Sequence, residues 1–136
     1  MAEPPKLKVV IVDDSALVQS QYSRLFEHVP GVTVVGRAQN GAEAIREVKR
    51  KTPDLVLMDL VMPDIDGLTA LRMLCKGIPG IRVAVVSSLG GSCKAAEEAF
   101  RQGAIEVLSK PVRPEMLARL VSQELDRKTR LSGGGR

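Results

Sequence analysis

Short apolar runs alternate along this chain with longer amphipathic segments. Three of the runs, at residues 8–12, 55–59 and 83–87, are rich in β-branched residues and apolar at nearly every position. That pattern is typical of strands buried on both faces of a parallel sheet. Two less apolar runs, at 33–38 and 105–108, are predicted as further strands, the first of them at a sheet edge.

The amphipathic segments carry helix start and stop signals. Asn40 precedes one segment, Pro114 suits the first position of another, and Gly103 suits the position just after a helix end. The first segment is expected to bury an apolar stripe formed by Leu17, Val18, Leu25 and Phe26. The predicted helices cover residues 16–26, 42–51, 68–76, 93–102 and 114–128.

Five strands and five helices in strict alternation predict an α/β protein. Because βα connections are right-handed, such a series folds into a doubly wound parallel sheet of five strands between two layers of helices, a three-layer sandwich. The predicted domain covers residues 7–128, and residues 1–6 and 129–136 are expected to be flexible ends.

Composition narrows the classes of function. The 136 residues carry a formal net charge of +4, and the whole excess lies near the end, in Arg127, Lys128, Arg130 and Arg136. Only 2% of the residues are aromatic, so nucleic-acid binding through base stacking is not expected of this domain. The chain shows no apolar run of the ~20 residues that span a bilayer and no signal peptide. Cys75 and Cys93 form no metal motif, and a cytoplasmic protein without membrane contact is predicted.

Polar residues stand where four of the predicted strands end. Ligands of open α/β sheets bind beyond the carboxyl ends of the strands, so these side chains are expected to meet at one edge. They are Asp13 and Asp14 after the first strand, Asp59 at the end of the third, Ser87 and Ser88 at the fourth, and Ser109, Lys110 and Pro111 at the fifth.

Three carboxylates and one ammonium at one edge favour a cation and a phosphoryl group. Clustered carboxylates repel one another, and hard oxygen ligands suit Mg²⁺. Lys110 and a serine hydroxyl are suited to hold phosphoryl oxygens, and an Asp can act as nucleophile to form an acyl phosphate. Taken singly, each residue has an ordinary explanation as a helix cap or a solvated side chain; only their joint position argues for a site.

Four motifs resemble, in the same order, those of a two-component response-regulator receiver domain. They are Val12-Asp13-Asp14-Ser15, residues 58–67 (MDLVMPDIDG), Val86-Ser87-Ser88 and Ser109-Lys110-Pro111. The resemblance covers residues 7–128 and implies a flavodoxin-like, CheY-like fold.

The resemblance also implies a role for each site residue. Asp59 would be the phosphoacceptor and Lys110 its ion-pair partner, with a cis bond between Lys110 and Pro111. Ser87 would follow the phosphoryl group, and Ser88 is the alternative hydroxyl. Mg²⁺ would be held by Asp13, Asp14, Asp59 and the backbone carbonyl of Val61.

Partners follow from the same resemblance. A sensor histidine kinase would donate the phosphoryl group, and the face formed by strands four and five with helices four and five would engage an effector domain or partner protein. The motif details are most similar to the chemotaxis protein-glutamate methylesterase type. The chain has no G-x-S-x-G motif, and His28 is expected inside the first helix, so no enzyme activity is expected beyond self-phosphorylation and dephosphorylation.

Two departures from the family pattern affect these expectations. Val107 occupies the position where the family often has an aromatic residue that reports the state of the hydroxyl, so coupling through a ring is in doubt. Val61 and Leu89 are both apolar and neither can orient an attacking water, which predicts slow self-dephosphorylation. The opposite expectation, that a backbone group or Ser88 positions this water, carries nearly equal weight.

Three other functions fit parts of the pattern. A phosphohydrolase of the haloacid dehalogenase type also uses an Asp after a strand, but it needs a second Asp where this chain has Val61. A nucleotide- or flavin-binding module would need a glycine-rich phosphate loop, and none is present. A pseudo-receiver that never takes phosphate would not need the complete acidic set and Lys110.

Overall fold

A computed structural model describes residues 6–60, 67–87 and 93–133. Within these ranges five strands and five helices alternate in the predicted order. The strands are β1 (Leu7–Val12), β2 (Val32–Ala38), β3 (Leu55–Asp59), β4 (Val83–Ser87) and β5 (Glu106–Ser109), and the helices are α1 (Ala16–Glu27), α2 (Gly41–Lys51), α3 (Gly67–Gly77), α4 (Cys93–Gln102) and α5 (Pro114–Gly133). None of these helices is both long and apolar enough to cross a bilayer.

The strands form one parallel sheet in the order β2-β1-β3-β4-β5. β2 lies at an edge, as its weaker apolar pattern predicts, and most of its side chains are only half-buried. In the centre, Val12 of β1 pairs with Met58 of β3. The residues that come next, Asp13 just after β1 and Asp59 at the end of β3, therefore lie side by side at the carboxyl edge of the sheet.

Helices cover both faces of the sheet, and each face carries its own apolar core. Ile11 and Leu57 belong to the core beneath α1 and α5, whereas Val12 and Met58 belong to the core beneath α2, α3 and α4. All four are fully buried, and burial of each such side chain contributes about 1.5–3 kcal/mol. Because both faces are covered, the apolar runs are continuous rather than alternating, and the predicted three-layer α/β sandwich is confirmed.

The predicted apolar stripe of α1 is wrong at Leu17, which is 69% exposed. The buried residues of α1 are Gln19, Tyr22 and Phe26, which recur at intervals of three and four residues and therefore share one face. Leu17 lies two residues before Gln19, about 200° around the helix, so it faces solvent. A polar residue thus holds the core position that the sequence pattern assigned to an apolar one.

The end of α4 confirms the role predicted for Gly103. This glycine has a φ of +117°, which a side chain would disfavour. Its N–H donates to the Phe100 carbonyl at 3.1 Å, and the Ala104 N–H donates to the Ala99 carbonyl at 2.9 Å. These two bonds form a Schellman cap that ends the helix. A Cβ at Gly103 would also lie 2.6 Å from the Cys75 sulfur. Both the backbone conformation and the lack of space therefore exclude larger residues here.

α5 is longer than predicted. It ends at Gly133 rather than at residue 128, so residues 129–133 belong to a helix and not to the flexible end expected there. The Lys128 ammonium donates to the Lys6 carbonyl at 3.1 Å and to the Asp54 carboxylate at 3.0 Å. The contacts of Lys128 hold the turn of α5 from which residues 129–133 continue. Adding residues to an existing helix costs much less free energy than starting a new one.

Candidate functional site

The two central strands bring Asp13 and Asp59 together at the carboxyl edge. Both side chains continue the face that carries Ile11 and Leu57, because residues two apart in a strand point to the same side. They are buried, with 2% of Asp13 and 3% of Asp59 exposed. The Asp13 carboxyl lies close to that of Asp59 and to that of Asp14, which is half-exposed.

Burial raises the pKa of Asp13 from 3.8 to about 6. The Ser15 backbone N–H, which donates to Asp13 Oδ1 at 2.9 Å, opposes this rise, and the negative charge of Asp59 adds to it. Two carboxyls in contact cannot both ionise without cost unless a cation lies between them. The carboxyl groups at this edge therefore favour the binding of a positively charged group.

Lys110 supplies one positive charge to this edge. Its Nζ lies 2.7 Å from Asp59 Oδ2, and its side chain is about one-third exposed while that of Asp59 is almost fully buried. The residue follows β5, and its backbone N–H donates to the Ser87 carbonyl at 3.0 Å. The peptide bond between Lys110 and Pro111 is cis, as the family resemblance implies.

Ser87 ends β4 beside these groups. Asp59 pairs in register with Val86, so Ser87 is the next residue along the neighbouring strand, and only 8% of it is exposed. Val61 and Ser88, which the sequence places in the metal and hydroxyl roles, lie outside the described residues. Val107 pairs with Val85 and packs, half-buried, against the core beneath α2, α3 and α4.

Sequence reasoning missed two residues of α1 beneath this edge. The side-chain amide of Gln19 donates to the Asp13 carbonyl at 2.7 Å and to the Ala38 carbonyl at 3.0 Å. Burial, and then the charges of Asp59 and Asp13, raise the pKa of Tyr22. The spacing of Gln19, Tyr22 and Phe26 was the available signal, because it marks one helix face. His28, expected inside α1, instead caps its end beyond Glu27.

The donor set fits Mg²⁺ better than a transition metal. In the described part of the chain, no group of three or more His, Cys, Asp or Glu side chains is arranged around a common point. Mg²⁺ needs no such cage, since it usually keeps several waters and takes one or two carboxylates. The buried contact between Asp13 and Asp59, with Asp14 beside it, offers those ligands.

Comparison with known proteins identifies the family. The family model described as "Response regulator receiver domain" matches residues 9–122. Among curated proteins, a protein-glutamate methylesterase/protein-glutamine glutaminase of Myxococcus xanthus is 39% identical over 105 residues, which are 77% of this chain and 30% of that protein. One from Thermotoga maritima is 34% identical over 125 residues, covering 84% and 36% respectively. The chain thus spans about a third of the length of these relatives.

Solved structures give the same result. The response regulator domain of Thermotoga maritima CheB is 34% identical with a TM-score of 0.71, over 93% of this chain and 95% of that one. A CheX–CheY complex with beryllofluoride and Mg²⁺ from Borrelia burgdorferi is 29% identical with a TM-score of 0.77, over 88% and 90%. The dehalogenase, nucleotide-binding and pseudo-receiver alternatives are not favoured by these matches. The chain belongs to the response regulator receiver domain family and is of the CheB type.

Proposed function

We propose that Asp59 is the phosphoacceptor of this receiver domain. The observation that carries the proposal is the buried Asp59 carboxylate, which lies 2.7 Å from the Lys110 ammonium and in contact with Asp13. A carboxylate in this position is held in one orientation by Lys110 at the carboxyl edge of the sheet. It is therefore placed to attack an incoming phosphorus atom.

The proposed reaction transfers a phosphoryl group from a phosphohistidine of a sensor histidine kinase. An Asp59 carboxylate oxygen forms the new O–P bond while the N–P bond breaks, and the leaving imidazole keeps the electron pair of that bond. Lys110 balances the charge of the phosphoryl oxygens and of the acyl phosphate. Ser87, next to Asp59 across the sheet, donates its hydroxyl hydrogen to one of those oxygens.

Asp13, Asp14, Asp59 and the Val61 carbonyl would hold a Mg²⁺ ion in this scheme. When bound, the ion neutralises charge on the phosphoryl oxygens as they approach the acidic edge. The raised pKa of Asp13 is consistent with this assignment, because burial and then the charge of Asp59 disfavour its ionised form, and a cation at this edge would offset both.

The output surface is proposed on β4, β5, α4 and α5. The Ser87 carbonyl accepts the Lys110 N–H, so a movement of Ser87 toward the phosphoryl group would be passed directly to the chain after β5. Val107 has no aromatic ring to report that movement, so the change would be carried by the strands and their helices. Phosphorylation then shifts the population between two packings of this face.

The wider role is proposed from the relatives. They are named protein-glutamate methylesterase/protein-glutamine glutaminase, and we propose that this receiver controls such an effector in cytoplasmic chemotaxis signalling. The receiver itself would bind neither nucleic acid nor membrane and would catalyse only its own phosphorylation and dephosphorylation.

The test is phosphorylation by acetyl phosphate with Mg²⁺, followed by intact mass. We expect one phosphoryl group on the wild-type chain and none on Asp59→Asn. Asp126→Asn, which neutralises an exposed carboxylate on α5, is the matched control and should be modified like the wild type. A phosphoryl group on Asp59→Asn, or none on the wild type, would overturn the proposal.

A further inference from the structure

Gln19 is a buried polar residue at the back of the acidic edge. Only 5% of it is exposed, although it lies in the second turn of a surface helix. Its side-chain nitrogen donates to two backbone carbonyls, that of Asp13 at 2.7 Å and that of Ala38 at 3.0 Å. An amide nitrogen has two hydrogens, so both are used, and the residue joins α1 to the ends of β1 and β2.

These bonds complete the fixation of Asp13 just where it leaves the sheet. The Asp13 N–H donates to the Ala38 carbonyl at 3.0 Å, which extends the pairing of β1 and β2 by one residue. Its carboxylate accepts the Ser15 N–H at 2.9 Å. The Asp13 carbonyl lies beyond the last pairing of β1, and the Gln19 amide supplies its donor. The N–H, carbonyl and carboxylate of Asp13 are therefore all held.

An apolar residue here would avoid the cost of burying an amide but would leave the Asp13 carbonyl without this donor. The other buried residues of α1, Tyr22 and Phe26, follow the apolar rule, and a buried amide is tolerated only where its hydrogen bonds are made. Gln19 makes one of its two to the residue proposed as a metal ligand and the other to Ala38. Residues that hydrogen-bond to a metal ligand orient that ligand. An amide at position 19 is therefore explained by the orientation of Asp13.

We propose that Gln19 is a positioning residue for the Mg²⁺ site, acting through Asp13; the inference rests on the proposed function of that site. The amide holds the Asp13 backbone so that its carboxylate stays beside that of Asp59. Without it, Asp13 keeps its carboxylate but loses the side-chain bond that holds its carbonyl.

The experiment measures Mg²⁺ affinity by NMR titration, following backbone amide signals at the carboxyl edge. Gln19→Met keeps the length of the side chain and removes both donors. We expect it to bind Mg²⁺ about tenfold more weakly, the low end of the effect of losing an outer-shell partner. Gln21→Met, on the exposed side of the same helix, should bind like the wild type.

A second control separates positioning from general destabilisation. Phe26→Leu removes buried volume from the same face of α1 and should lower the melting temperature while leaving Mg²⁺ affinity unchanged. If Gln19→Met lowers the melting temperature but binds Mg²⁺ like the wild type, Gln19 is only a structural residue and the inference is wrong. If Phe26→Leu weakens Mg²⁺ binding as much as Gln19→Met, the same conclusion follows.

Failure of the proposed function would look different. In that case the wild-type chain would show no Mg²⁺-dependent shifts at the carboxyl edge at all. Should Gln19→Met not fold, the wild type still gives a test: the side-chain amide signals of Gln19 should shift as Mg²⁺ saturates the site. Signals that stay in place while the Asp14 amide shifts would overturn the role of Gln19.

Discussion

Both edges of the sheet carry charged side chains, but acidic and basic groups are paired at the amino edge and acidic groups are in excess at the carboxyl edge. At the amino edge, Asp54 accepts hydrogen bonds from the Lys128 ammonium at 3.0 Å and the Lys8 N–H at 2.8 Å. Glu124 forms a two-pronged pair with Arg82 on the same side. At the carboxyl edge, Asp13 and Asp59 lie in contact and have Lys110 as their basic neighbour.

The charged groups of the amino edge stabilise the fold, whereas those of the carboxyl edge are available for chemistry. Each carboxylate of the amino edge has its own cation, and together these pairs attach α5 to the starts of β1, β3 and β4. The carboxyl edge has an excess of negative charge, and burial together with the nearby charge of Asp59 raises the pKa of Asp13 to about 6. Active sites commonly keep such unfavourable arrangements because function needs them.

The largest difference between the edges is expected from Asp13→Asn. Removing this carboxylate should weaken Mg²⁺ binding by about 100-fold or more, since a ligand is lost and not only its support. The same change should stabilise the metal-free fold by about 1 kcal/mol, because it removes a like-charge contact. Mg²⁺ titration measures the first effect and urea denaturation the second. A loss of stability in Asp13→Asn would show that the contact between Asp13 and Asp59 does not destabilise the metal-free fold.

The pH dependence of stability should reveal the same imbalance. A pKa raised from 3.8 to about 6 means that the folded state binds more protons than the unfolded state between these values. The free energy of unfolding should therefore fall as the pH rises from about 4 to about 6 in metal-free buffer. The decline should be shallower in Asp13→Asn, with Asp126→Asn as the charge-matched control. Parallel curves for Asp13→Asn and the wild type would contradict the shift.

At the amino edge, Glu124→Ala should lower the stability of the fold and leave the chemistry of the carboxyl edge unchanged. Glu124 is 6% exposed and its partner Arg82 is 26% exposed, so the change leaves a partly buried guanidinium without its carboxylate. We expect a loss of about 2 kcal/mol, below the range for fully buried pairs because Arg82 still reaches water. Phosphorylation by acetyl phosphate should be unchanged at a temperature where the variant is folded. A slower reaction would mean that the two edges are coupled.

The smallest effect is expected from Lys128→Met. The Lys128–Asp54 pair is partly exposed, at 33% and 24%, so its loss should cost about 0.5–1 kcal/mol. The cost should shrink in high salt, which screens exposed pairs. Urea denaturation at two salt concentrations measures it, with Lys94→Met on the exposed side of α4 as the control. A cost that does not depend on salt would indicate that the Lys6 carbonyl contact dominates.

Much of the fold and site was predictable because the signals are local or periodic. Continuous apolar runs required strands covered on both faces, and the polar residues at their ends required a common edge once the strands were parallel. Gly103 was predictable because its neighbours in sequence close the cap. The end of α5 was not, since the contacts of Lys128 reach residues 122 and 74 positions away. The sequence around residue 128 therefore does not predict these contacts.

By itself, the sequence determined the fold class, the family and the chemical groups at the carboxyl edge. These depend on residue order and on the rule that parallel strands end together. Only the tertiary structure decided which face of α1 is buried, and so placed Gln19 behind Asp13 and Leu17 in solvent. It also decided that Lys128 meets Asp54. Distance and burial set the charge balance of each edge, and both arise only when distant segments pack together.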